Sequence, residues 1–215
     1  MTILNRSALL SHLRNQMSID WFGHHGIAHW TRVRANGLML AGDIGANVHV
    51  VELFAFFHDS RRVNEHVDHG HGARGAVLAR QLKGRFFEAT DDEMDLLQYA
   101  CDHHSDGMTQ GDATVMTCWD ADRLDLGRVG ITPKAKYLCT EIAKQEVTMH
   151  RANHRAQHWV DVHECCRRPK TEPLIEVVPT QNRARCFTSS AYFLGRSKQG
   201  DHHGTFRQDS AHVCA

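Results

Sequence analysis

The run Val50-Val51-Glu52-Leu53-Phe54-Ala55-Phe56-Phe57 is apolar at all but one position and ends in the pair His58-Asp59. Val51, Phe54, Ala55 and Phe57 recur at helical spacing. A helix with so little polar surface belongs inside a core. It carries a histidine and a carboxylate in with it, and both groups prefer a partner or water to hydrocarbon. A divalent metal ion is the natural partner for such a pair.

The rest of the first two thirds of the chain is also helical in pattern. Leu9, Leu10, Leu13 and Met17 form one apolar stripe, and Val33, Leu38, Leu40 and Ala41 form another. Further helices are predicted at about Gly72–Leu82, Asp91–Cys101, Ala113–Leu126 and Pro133–Met149, with Asp91 and Asp112 as N-caps and Pro133 in a first turn. No sustained strand alternation occurs before residue 170, so the fold class is all-α, a helical bundle. The breaks at Gly42–Asn47, Asn64–Gly72 and Asp102–Asp112 are rich in Gly, Asp, Asn and His, which places candidate polar groups where helix ends converge.

A length of 215 residues accommodates one domain and something extra. The domain is assigned to residues 1–152. Residues 153–215 form an irregular, partly disordered C-terminal tail with no assigned role: Leu174–Val178 has the composition of a short strand, and Ser197–Ala215 is polar with almost no apolar content. Lys plus Arg and Asp plus Glu both total 25, so no overall charge draws the chain to nucleic acid or a membrane. No window approaches the roughly 18 uninterrupted apolar residues needed to span a bilayer, and Met1–Ser7 lacks the opening of an export signal. The seven cysteines are odd in number and contain no CxxC pair, which fits a reducing, cytoplasmic setting better than a disulfide framework or a thiolate zinc site. Cys101 and Cys118 read as small core residues. Eighteen histidines raise the prior for an imidazole-rich metal site.

Ligand-capable residues fall in separate segments: His29 in His29-Trp30-Thr31-Arg32-Val33, the pair His58-Asp59, His71 in His71-Gly72-Ala73-Arg74-Gly75, the pair His103-His104, and Asp122 in Asp120-Ala121-Asp122-Arg123-Leu124-Asp125. Imidazole with carboxylate and no thiolate suits one or two ions of Mn, Fe, Co, Ni or Zn. His24, His25, His66 and His69 read as solvated loop residues. In this order and spacing the set resembles the HD-domain superfamily of metal-dependent phosphohydrolases, over about residues 20–145. The resemblance implies an HD-type helical bundle with His29 as first ligand, His58 and Asp59 as the dyad, and Asp122 as the closing aspartate, ahead of its neighbours Asp120 and Asp125. It also implies that His71 and one of His103 and His104 hold a second ion, as in the six-ligand members. Asp59 and Arg62 are then the catalytic pair, with Arg61, Arg62 and Arg74 as candidates for binding substrate phosphate. Arg123 is a further basic neighbour. Arg61 and Arg62 have Glu65 and Asp68 as alternative partners, and Arg74 has the adjacent helix to cover.

The implied substrate is a small phosphorylated molecule, a nucleotide or a relative. Ser105-Asp106-Gly107-Met108-Thr109 stands where the cyclic-dinucleotide branch reads glycine-tyrosine-proline, so that substrate does not fit. Two rival functions share the ligand set: a di-iron oxygenase of a small diol or phosphonate, and a non-enzymatic metal or nucleotide sensor.

Overall fold

The structure, a computed structural model, describes residues 4–158. The expectations of a strand at 174–178 and disorder at 197–215 lie outside the described residues, as does most of the assigned tail.

The described chain is helical: α1 Arg6–Gln16, α2 Ile27–Ile44, α3 Val48–Phe57, α4 His71–Leu82, α5 Asp91–His103, α6 Ala113–Arg123, the single turn α7 Glu141–Lys144, and α8 Glu146–Gln157. Isolated bridges such as Leu4 with Phe87 are the only β pairing among the described residues. No described helix is long and apolar enough to cross a membrane.

Helix α3 is the axis of the bundle, with α2, α4, α5 and α6 packed against it. Asn47 starts it by accepting hydrogen bonds from the backbone N–H groups of His49 and Val50 at 3.0 and 3.2 Å. Every residue from Val50 to Phe57 is buried, and each large apolar side chain among them contributes about 1.5–3 kcal/mol by leaving water. The one charged member, Glu52, is met by Arg6 from α1 (Nε–Oε1 2.5 Å) and Arg34 from α2 (2.5 Å). These guanidiniums hold its carboxyl below the usual range against the opposing effect of burial, so the polar interruption in the run ties three helices together.

Helix α4 lies along α5 and also touches α3, and two glycines permit the approach. A Cβ at Gly72 would run into the backbone carbonyl of Cys101, and one at Gly75 into that of Phe57. Gly72→Ala is expected to lower stability by about 1–3 kcal/mol, because backbone cannot yield as a flexible side chain can. Chemical denaturation checks it, and an unchanged midpoint would show that α4 can shift away from α5 without loss.

Two sequence expectations need correction. Thr90, not Asp91, caps α5: its hydroxyl accepts from Glu93 N while the Glu93 carboxylate accepts from Thr90 N, a reciprocal capping box. The predicted helix over 133–149 is broken into a 3-10 turn at Ala135–Tyr137, α7 and the start of α8. The cause is Asp120, which is fully buried and accepts from Cys139 N, Thr140 N and Thr140 Oγ1 at 2.7–2.8 Å. That carboxylate holds the chain extended at 139–140, and Thr140 starts a new helix by accepting from Ala143 N. Beyond the composition change at residue 152, α8 continues to Gln157.

Candidate metal centre

Five helix ends meet at one point. His29 stands in the first turn of α2, His71 opens α4, His58 closes α3 with Asp59 following, His104 closes α5, and Asp122 lies in the last turn of α6. All six are buried, between 0 and 7% exposed. Their ligand atoms fall into two groups that share Asp59: His29, His58 and Asp59, and Asp59, His71 and His104, each with its atoms within 4.8 Å of one another. Asp122 Oδ1 adjoins the first group, 3.3 Å from His29 Nε2 and 3.8 Å from His58 Nε2.

The hydrogen bonds at the far side of each ring determine what the near side offers. His58 Nδ1 donates to Phe54 O (3.1 Å), His71 Nδ1 to Asp68 O (2.6 Å), His104 Nδ1 to Cys101 O (2.7 Å) and His29 Nδ1 to Asp125 Oδ2 (2.7 Å). Each partner is an oxygen that can only accept, so the proton sits on Nδ1 and Nε2 is left with its lone pair in the neutral ring. Yet these lone-pair nitrogens face each other: His29 Nε2 and His58 Nε2 are 3.0 Å apart, and His71 Nε2 and His104 Nε2 are 2.9 Å apart. Carboxylate oxygens of Asp59 lie 3.4 Å from His29 Nε2 and 3.2 Å from His71 Nε2. Acceptors facing acceptors in a dry interior require a cation among them, and the donor chemistry fits a divalent metal.

The electrostatics carry the same demand. Burial and Arg128 press the His29 pKa down, but Asp122, Asp125 and Asp59 outweigh them and raise it to about 9, so without a metal a proton does the work of the cation. Burial drives His58 the other way, to about 3, against the pull of Asp59 and Asp122. Burial alone would raise Asp59, yet His58, His104, His29 and His71 keep it well below the carboxylate range. Asp122 is likewise depressed, with burial opposed by His29 and His58. The carboxylates are therefore held anionic and His58 neutral, the states in which such groups can take a metal ion.

Asp122 faces the cluster while Asp125 supports it from behind, because the chain tightens after α6 and Asp125 N bonds to Asp122 O at 2.8 Å. Arg32 Nε and Nη2 fix the buried Asp125 carboxylate at 2.7 and 3.1 Å. Asp120 points the opposite way, to Thr140.

Of the two adjacent histidines, His104 enters the cluster. His103 turns to Asp106 (Nδ1–Oδ2 2.7 Å) on a partly exposed face and takes no part. Arg62 reaches the centre, with Nη1 3.2 Å from Asp59 Oδ1 and 3.1 Å from His71 Nε2. The other candidate phosphate binders do not. Arg61 donates to Gln16 O, Arg74 to Arg61 O, His69 O and Asp68 Oδ1, and Arg123 to Tyr137 O and Cys139 Sγ.

Three flanking residues have no supporting role in the sequence assignment, which weighs Asp125 only as a rival of Asp122. Arg32 and Asp125 orient His29, and Arg128 is close enough to act on His25, His29 and Asp122. His25, which reads as solvated, is half-buried against Glu65 (Nδ1–Oε2 2.5 Å) with its ring 6.3 Å from that of His29. His24, His66 and His69 are exposed.

No family model matches the chain, and no curated protein matches it. The structure is similar to the crystal structure of a predicted HD superfamily hydrolase from an uncultured Thermotogales bacterium, with a TM-score of 0.54 and 24% sequence identity over 71% of this chain and 86% of that one. The likeness shows that this chain shares the helical fold of that protein.

Proposed function

We propose that the chain is a metal-dependent phosphohydrolase that acts on a nucleotide or a related small phosphate ester. The observation that carries this reading is the close facing of Nε2 atoms whose rings are each anchored through Nδ1, His29 to His58 and His71 to His104, around a carboxylate common to both pairs. His29, His58, Asp59 and Asp122 would hold the ion. When bound, a divalent transition metal (Mn, Fe, Co, Ni or Zn) would bring the pKa of a water toward neutrality and draw charge from a phosphoryl oxygen.

The chain's own residues supply the rest. The largest exposure at the centre belongs to Asp122 (7%), His71 (6%) and Arg62 (8%), against 2% for Asp59, 3% for His104 and none for His29 and His58, so substrate would enter past those three. Arg62 meets it there with a permanent positive charge that attracts phosphate oxygens. Ionised Asp59 offers only acceptor oxygens and would orient the O–H of an attacking water. The four anchored imidazoles are already in place, so little reorganisation accompanies charge build-up. Arg128 adds a second positive charge to the field. Free thiols at Cys101, Cys118 and Cys139 accord with a cytoplasmic enzyme.

The test is the anaerobically purified chain, loaded with each metal in turn and offered a panel of nucleotides and phosphate esters. Phosphate release without oxygen uptake is expected. Oxygen uptake with no phosphate release would transfer the centre to the di-iron oxygenase reading, and tight ligand binding without turnover under every metal would make it a sensor.

A further inference from the structure

We propose that the guanidinium of Arg62 is the resident cation of the second group, so that the chain holds one divalent ion, at His29, His58, Asp59 and Asp122, rather than two. The inference rests on the reading of the cluster as a metal centre and specifies its occupancy. An imidazole Nε2 has a single lone pair. In His71 that lone pair meets Arg62 Nη1, 3.1 Å away, and His104 Nε2, 2.9 Å away, and of these two the guanidinium alone carries a permanent positive charge; the same nitrogen lies 3.2 Å from Asp59 Oδ1, the oxygen facing the second group. An ion at Asp59, His71 and His104 would need the lone pair that the guanidinium now engages, and the two cannot share it.

Arg62 is also fixed from behind. Nη2 donates to His66 O at 2.6 Å and Nε to Asn64 O at 3.4 Å, so the loop after α3 folds back to grip the side chain from the backbone. The residue is 8% exposed, and withdrawing it would break these bonds and separate a buried charge from Asp59. A phosphate entering on this side would then lie between one metal ion and one guanidinium, an arrangement with the charge for hydrolysis but without a second redox-capable ion.

The experiment uses the full chain, stripped with chelator and dialysed to equilibrium against Mn2+, with bound metal counted per chain. Wild type is expected to hold about one ion, Arg62→Met about two, and Arg62→Met with His71→Ala about one again, since removing the competitor frees a ligand set that needs His71. Two ions in wild type, or one in a folded Arg62→Met, would overturn the inference and leave the metal centre standing. No ion in wild type would sink the metal reading itself, and the inference with it. Should Arg62→Met lose its helical circular dichroism, His71→Ala alone decides. Its one ion should stay bound with Mn2+ affinity within about threefold of wild type, and loss of an ion would overturn the inference.

Discussion

Asp59→Ala should lose tightly bound metal and with it all metal-dependent phosphate release, while its helical circular dichroism stays close to wild type. Removing even a residue that merely orients a ligand costs about 10–100-fold in metal affinity. Asp59 contributes a carboxylate to both groups of converging atoms, so its loss should exceed about 100-fold. Without it, His29 and His58 keep Asp122 beside their Nε2 atoms, at 3.3 and 3.8 Å, and Arg62 loses its buried counter-ion. Some thermal stability goes as a result, but α3 remains packed on every side and the bundle should persist. Metal analysis beside a phosphate-release assay decides the matter, and full metal content with full turnover would remove Asp59 from the centre.

The second large effect lies behind the centre. Asp125→Ala is expected to cost about 3–5 kcal/mol, because it strands the Arg32 guanidinium, 7% exposed, without the carboxylate that receives two of its N–H groups. The same change frees His29 Nδ1, so the ring loses both its orientation and its fixed tautomer. Asp125→Asn keeps the shape and one acceptor oxygen. It should lose less stability but still fall about 10–100-fold in metal affinity. Urea denaturation and Mn2+ titration of both variants separate the effects, and a loss below about 1 kcal/mol in Asp125→Ala would mean that Arg32 finds another partner.

The helical fold and the convergence of His29, His58, Asp59, His71, His104 and Asp122 can be read from sequence because both are written in order along the chain. Apolar period gives the helices, and the ligand-capable residues fall at the breaks between them. The choice between His103 and His104 was also within reach. Met94, Leu97 and Cys101 mark the buried face of α5, and continuing their three- and four-residue steps reaches His104. What escapes sequence is contact between distant segments. Nothing local reveals that Asp120 will bond to Thr140 and break a helix twenty residues away, that Asp125 will hold His29 from behind, or that Arg61 will turn to Gln16 while Arg62 turns inward. Those outcomes depend on the chain tightening after α6 and on the loop after α3, where hydrogen bonding has no periodic signature.

Because the converging side chains come from the ends of five different helices, no fragment of the bundle can assemble the centre alone. Fraying of any one of five helix ends would uncouple an ion from part of its cage, so ion release would report on the cooperative opening of the whole bundle. Conversely, an ion bound only by the assembled bundle would raise its resistance to heat and denaturant in proportion to the logarithm of the free metal concentration. In such a protein the supply of metal regulates not only turnover but the lifetime of the folded chain.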